Sequence, residues 1–318
     1  ESQVVHEILE DLSAPSDIPI NIIKNGNYLR INADGEVSAS CYRDYYQRLW
    51  EGEPETSIDL AAETIDEIIL ESIRRRIPAS GPVAVLCSGG VDSSLILAQT
   101  VKILRETDEM DRLEIYTLGS ADIGTHTEEN DLLNVYELLT ALNVDQNHLT
   151  VIDPESIQAD KERLYRDWVF SDDPRLVTPN PILNTQGRHS VMMSSVLGYV
   201  VKSNPDTKVV LTGDCADEIF AGYNSMHQTA DSLEEIQRNI REKCNDLPLN
   251  DAGRLTLASL FGCHEVSGQP IEVRHPLTSH KLLEFITSCP IDFVLNQERE
   301  GVTSKYLLRL AALKAGAP

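Results

Sequence analysis

Positive charge is scarce in this sequence. Its 318 residues carry 27 lysines and arginines against 51 aspartates and glutamates, a formal net charge of −24. So acidic a surface repels a polyphosphate backbone, which argues against a general nucleic-acid binder. An anionic ligand must then be held locally, by backbone amides, a metal ion or a few placed cations. Long apolar runs are missing too: none approaches the ~18 residues of a membrane-spanning helix. The opening residues ESQVVHEILE lack the basic start and apolar block of a secretory signal. Six cysteines (Cys41, Cys87, Cys215, Cys244, Cys263 and Cys289) form no CxxC pair. That spacing speaks against structural zinc, a redox dithiol or a disulfide framework, and the expected compartment is reducing and cytoplasmic. No Gly-Lys dipeptide occurs, which excludes a Walker A loop. Repeats and low-complexity segments are absent as well. What is present is a globular composition, 41% hydrophobic and 25% charged, with ample length for a large core.

Residues 17–46 hold two extended-looking runs, INII and NYLRI, with turn signals at Asn25-Gly26 and Ala33-Asp34-Gly35. A helix is expected at 57–76, where Leu60, Ile65, Ile68, Ile69 and Ile73 fall near helical spacing. Strands and helices then alternate. VAVLC (83–87), LEIYTL (113–118), HLTVI (148–152) and KVVLT (208–212) read as buried strands. Helices are expected from Val91, at 127–142, after Pro154 and at 189–203. Beyond Ser232 the pattern is helical, at 232–243, 250–261, 279–288 and 303–314. The expected fold class is α/β: a doubly wound parallel sheet with a helical carboxy-terminal part and a small amino-terminal β-hairpin segment.

Between the first buried strand and its helix lies Leu86-Cys87-Ser88-Gly89-Gly90-Val91-Asp92-Ser93-Ser94. In a doubly wound sheet, ligands bind at the carboxyl ends of strands. Two glycines let the backbone approach an anion, and the following helix N-terminus offers free amides. Asp92 adds negative charge to such a site, which makes sense if it holds Mg²⁺ that bridges to phosphates. The competing reading is a glycine turn whose serines cap the helix.

The string SGGVDSS resembles the pyrophosphate-binding loop of N-type ATP pyrophosphatases, enzymes that cleave ATP between the α and β phosphates and adenylylate a substrate. Further motifs resemble one branch of that group, the asparagine synthetases. Thr212-Gly213-Asp214-Cys215-Ala216-Asp217-Glu218-Ile219-Phe220-Ala221-Gly222-Tyr223 is similar to the family's SGEGSDEVFGGY. Three carboxylates crowded there need a cation to stay ionised together. Asp214 stands where the family has Glu. Cys215 stands where it has Gly, although glycine alone tolerates positive φ without strain. Ile271-Glu272-Val273-Arg274-His275-Pro276-Leu277 resembles LEVRVPFLD, with His275 in an apolar position. Arg274 is either a ligand residue or paired to an acid. Thr303-Ser304-Lys305-Tyr306-Leu307-Leu308-Arg309 resembles the family's K-x-x-L-R helix. Tyr116-Thr117-Leu118-Gly119 resembles a strand end that contacts adenine. Asp251 and Arg254 fit a D-x-x-R region loosely.

The resemblance implies ATP and Mg²⁺ as cofactors, with Asp92 and Asp217 as metal ligands. It implies nucleotide binding by Leu86, Cys87, Ser88, Gly89, Gly90, Asp92, Ser93, Ser94, Leu118, Thr212 and Gly213. Catalytic roles fall to Lys305, Asp214, Glu218 and Arg274. The expected reaction joins a small-molecule carboxylate to ammonia or an amine, without nucleic acid or membrane, in a homodimer. Full-length relatives begin with a glutaminase domain whose nucleophile is an amino-terminal cysteine. Here the chain starts at Glu1 and residues 18–46 resemble only the end of that domain. Residues 1–56 are therefore expected to be its remnant and 57–318 the ATP pyrophosphatase domain, with ammonia free or supplied by a separate subunit. A specialised natural-product amide synthetase or cyclase of the same family is the near alternative. A tRNA-modifying adenylylating enzyme and a non-catalytic scaffold are the alternatives from other classes.

Overall fold

The computed structural model describes residues 27–41, 57–119, 126–169, 183–223, 232, 234–239, 262–299 and 301–318. The INII run, the helix expected at 250–261 with Asp251 and Arg254, and Cys244 lie outside them. The first element is an antiparallel hairpin of β1 (Asn27–Ile31) and β2 (Val37–Cys41), turning at the second of the two turn signals. Tyr28 and Ile31 on it are exposed.

Helix α1 (Ile58–Arg74) starts at Ser57, whose hydroxyl accepts from the Leu60 amide. It buries Ala61, Ala62, Ile65, Ile69 and Ile73 completely, each isoleucine worth about 1.5–3 kcal/mol. Then come β3 (Val83–Leu86), α2 (Val91–Glu106), β4 (Leu113–Leu118), α3 (His126–Ala141), β5 (Leu149–Ile152), α4 (Gln158–Val169), α5 (Leu183–Ser203), β6 (Val209–Leu211) and the short α6 (Ala216–Ile219). Residues 234–239 are helical. After them lie α7 (Cys263–Ser267), β7 (Glu272–Arg274), α8 (His280–Ser288), α9 (Ile291–Val294), β8 (Asn296–Arg299), β9 (Gly301–Thr303) and α10 (Tyr306–Lys314). None of the described helices is long and apolar enough to cross a membrane.

Five strands form one parallel sheet in the order β5-β4-β3-β6-β7. Strand residues alternate between two cores, as the pleat dictates. Val83, Val85 and Leu211 pack with α1, α2 and α10 on one face. Ala84, Val210 and Tyr116 pack with α5 and Cys263 on the other. Helices on both faces make this the doubly wound α/β sheet that the sequence implied. From β3 the chain runs outward through β4 to β5, then returns to place β6 on the other side of β3. Strand order therefore reverses between β3 and β6, where such sheets open a ligand crevice.

Three details depart from expectation. The fifth strand, β7, lies inside a segment read only as a motif: three residues at a sheet edge leave too short a pattern to register. Second, α5 begins at Leu183, six residues before the expected start at 189. Third, residues 303–314 are not one helix: β8 and β9 pair as a hairpin through Thr303, and α10 begins only at Tyr306.

Candidate active site

The loop after β3 holds its shape through its own serines. The Ser88 amide donates to Ser93 Oγ at 3.1 Å, and Ser93 Oγ donates back to the Gly90 carbonyl at 3.1 Å. Gly90 is the N-cap residue of α2, and no side chain caps this end. The serines are therefore spent on the loop rather than on capping, and the helix N-terminus keeps its positive end open to an anion. Gly89 has φ +78°, and a Cβ there would stand 2.5 Å from the Asp131 carbonyl oxygen of α3. Both its backbone angle and the approach of α3 require glycine.

The loop after β6 lies beside it, because β3 and β6 pair as Val85 with Leu211. A Cβ on Gly213 would come within 2.7 Å of the Asp92 carbonyl carbon and the Ser93 amide nitrogen. The two loops are thus in backbone contact. Cys215 then takes φ +73°, the left-handed conformation that its glycine-like position called for. It is 3% exposed, so packing holds a conformation that costs about 1–3 kcal/mol. Ala221 (φ +53°) and Lys305 (φ +56°) are strained likewise. Three of the five non-glycine residues with positive φ among the described residues therefore lie at this one site. The other two, Asp108 and Asn143, belong to turns after α2 and α3.

Lys305 joins the two loops. It precedes α10, its amide donates to the Phe220 carbonyl at 3.2 Å, and it is 8% exposed. Its Nζ stands 2.5 Å from Asp92 Oδ2 and 2.8 Å from Asp217 Oδ1. The cation between the two carboxylates is thus an ammonium from the residue that precedes a distant helix. Asp92 Oδ1 is buried and has no hydrogen-bond partner. Burial raises the Asp92 carboxyl to a pKa of about 6, against the pull of Lys305 and with help from the Asp217 charge. Gly222 closes the turn: a Cβ there would lie 1.9 Å from Asp217 Oδ1 and 2.1 Å from Lys305 Cε.

The other expected site residues lie at the carboxyl ends of the strands or in the segments that follow them. Leu86, Cys87, Ser94 and Thr212 end the two central strands or open α2, and Cys87, Ser94 and Thr212 are buried. Burial raises the Cys87 thiol and keeps it protonated. Leu118 is exposed at the carboxyl end of β4. Glu218 is 3% exposed and accepts from the Tyr223 hydroxyl at 2.7 Å, which ties the turn together. Arg274 grips Glu272 with two bonds of 2.9 Å and donates to the Arg76 carbonyl at 2.5 Å. Of its two sequence-based readings, this is the paired one. Gly222, Tyr223 and His275 were not among the expected site residues. The Gly-Tyr pair ending the acidic motif was the available signal for the first two.

His275 is 8% exposed at the carboxyl end of β7, with Nδ1 3.0 Å from the Thr212 hydroxyl and Nε2 unpartnered. Burial, reinforced by Arg76 and opposed by Asp214, holds its pKa below the usual histidine value. A depressed histidine leaves the unfolded chain binding more protons below pH ~6.5, so its contribution to stability is lost as pH falls through that range. Asp92, with its raised pKa, acts in the opposite sense. The difference between wild type and His275→Leu isolates the histidine. In urea unfolding from pH ~7.5 to ~5.5, wild type is expected to lose more stability than the variant; equal loss refutes a buried neutral imidazole.

The asparagine synthase family model matches residues 64–262. The glutamine-hydrolysing asparagine synthetase of Gallus gallus is 24% identical over 304 residues, covering 96% of this chain and 47% of that protein. A probable asparagine synthetase of Acanthamoeba polyphaga mimivirus is 24% identical over 307 residues, 94% of this chain and 48% of its own. The chain thus spans about half the length of these relatives. Among solved structures, NAD+ synthetase from Burkholderia pseudomallei aligns with a TM-score of 0.34 at 14% identity, covering 86% of this chain and 92% of that one. The NH3-dependent NAD synthetase of Campylobacter jejuni aligns at 0.32 and 15%, covering 64% and 78%. With most of its sheet and both central loops inside the matched segment, the chain belongs to the asparagine synthase family.

Proposed function

We propose that residues 57–318 form an ATP-dependent amide ligase that activates a substrate carboxylate as its adenylate. The observation that carries this reading is the convergence of Asp92, Asp217 and Lys305 beside an uncapped helix N-terminus at the strand-order reversal. A scaffold has no use for a buried ion cluster held by strained backbone.

ATP phosphates would rest on the amides from Gly90 to Asp92, and exposed Leu118 would offer an apolar contact to adenine. The unpartnered Asp92 Oδ1 fits a Mg²⁺ ligand, with Asp217 nearby. Such an ion neutralises phosphate charge, and it usually takes one or two carboxylates plus substrate oxygens. A substrate carboxylate oxygen attacks the α-phosphorus, the bond to the bridging oxygen breaks, and pyrophosphate leaves. Lys305 stabilises the charge that develops there. Ammonia or an amine then attacks the acyl carbon and loses a proton, and AMP leaves. Asp214, half-buried after β6, would orient that nucleophile or take its proton. Residues 1–56 would be the end of a glutaminase-like segment, with ammonia free or delivered by another subunit, and the ligase working as a homodimer in the cytoplasm.

The test is pyrophosphate release from Mg-ATP, with L-aspartate plus ammonium and then with a panel of other carboxylic acids. Acid-dependent pyrophosphate with AMP as co-product supports the reading and names the acid. ADP and phosphate instead would refute it.

Gly222→Ala gives a sharper geometric check. Its methyl would displace the Asp217 carboxylate and the Lys305 side chain together. Displacement of reacting groups by about 1 Å costs on the order of 100-fold in rate. The variant is expected to lose about that much acid-dependent pyrophosphate release while its circular dichroism is unchanged.

A further inference from the structure

A second cleft lies between the carboxy-terminal half of α1 and the start of α8. Its volume is about 330 Å³, and it shares no lining residue with the candidate ATP site. That volume is at the small end of the range for metabolite pockets, about 300–1,000 Å³. Its polar walls are Arg75, Arg76, Lys281, His280, Ser72 and Thr278. In a chain of net charge −24, this concentration of cationic groups needs a physical reason.

The one carboxylate lining the cleft, Glu71, faces Arg75 and Lys281 and offsets only part of their charge. Glu71 is held by Arg75 at 2.7 Å and lies 3.7 Å from Arg74 outside the cleft. Arg76 is half-buried and donates to the Ser72 hydroxyl at 2.6 Å and the Ser72 carbonyl at 3.1 Å, both neutral acceptors. No carboxylate pairs with it among the described residues. Burial, and then the neighbouring Arg274 and Arg75, weaken its hold on its proton. A desolvated cation beside like charges is costly unless an anion completes it.

The start of α8 points the same way. Ser279 caps the nine-residue helix through the Leu282 amide at 3.3 Å, and the first turn carries His280 and Lys281 with no acid. Basic residues at a helix N-terminus oppose the macrodipole, whereas an anion there satisfies both.

We propose that this cleft is a binding site for the phosphoryl group of a small molecule, held by Arg76, Lys281 and the start of α8. The Ser72 and Thr278 hydroxyls are spent on the Pro276 and His275 carbonyls, so guanidinium, ammonium and helix-end amide donors are what match a multivalent oxyanion. Ile68 at the edge gives the rest of such a molecule an apolar wall.

Inorganic phosphate is the probe, titrated calorimetrically into the full chain. Lys281 is exposed, so Lys281→Glu leaves the fold intact. It is expected to weaken phosphate binding about tenfold or more, the loss of one charge-assisted contact. Arg76→Gln should do the same. Lys208→Glu makes the same charge change where the side chain donates to Gln269 and the Pro205 carbonyl, and should alter affinity less than about twofold by the general field alone. Absence of saturable phosphate binding overturns the proposal. So does binding that Lys281→Glu leaves unchanged, or that Lys208→Glu weakens as much.

Discussion

Lys305→Met lowers acid-dependent pyrophosphate release by about 100-fold or more, the 2.7–4 kcal/mol that one positioned donor supplies to a developing charge. The side chain keeps its length and apolar stem, so what is lost is the ammonium between Asp92 and Asp217. Two neighbouring carboxylates without a cation cannot both stay ionised. Asp92, already raised to about 6, takes up the proton first. Part of the lost activity should therefore return as pH is raised and Asp92 ionises again. Lys305→Arg is not expected to rescue, because Gly222 leaves no room for a wider head beside Lys305 Cε. A rate within a few fold of wild type in the methionine variant removes Lys305 from the chemistry.

The second large effect is at Asp92. Asp92→Ala abolishes ATP turnover and leaves the fold in place. Removing a desolvated carboxylate also removes its desolvation cost, while Lys305 keeps Asp217 at 2.8 Å. Stability in urea should stay within about 1–2 kcal/mol of wild type, a typical single-mutation effect. Loss of activity without loss of fold is the signature of a ligand residue. Full activity would mean that Oδ1, the oxygen without a partner, has no catalytic use.

These effects rest on residues that were legible one at a time. Asp92 stood out because an acid in a glycine loop demands a cation, and Asp217 because it sat in an acidic turn after a strand. Lys305 was visible only through its motif, since a helical lysine beside leucines is ordinarily a surface residue. Their contact was not legible, because it depends on α10 meeting two loops that are 88 and 213 residues away. Other readings needed the third dimension to choose. The loop serines read either as helix caps or as nucleotide-binding groups, and Ser93 in fact bonds within the loop. Arg274 divided evenly between ligand and structural pairing until Glu272 was seen to fill its fork.

The sequence alone determined the sheet interior. β3, β4 and β6 are short, largely apolar runs flanked by helical periodicity, and a strand buried on both faces allows little else; β5, read as buried too, is an edge of the sheet, and only its Ile152 is buried. The family motif marked Cys215 as a glycine position whose turn a cysteine could change; the turn is kept, with Cys215 at φ +73°. Tertiary structure alone decided the edges and the charges. β7 and β9 are three residues long and β8 is polar, so their pairing comes from neighbours rather than from pattern. The balance among Asp92, Asp217 and Lys305, and the cationic cleft beside α8, depend on distances between segments up to 213 residues apart. Periodicity records which face a residue turns to the core. It does not record which charge it meets there.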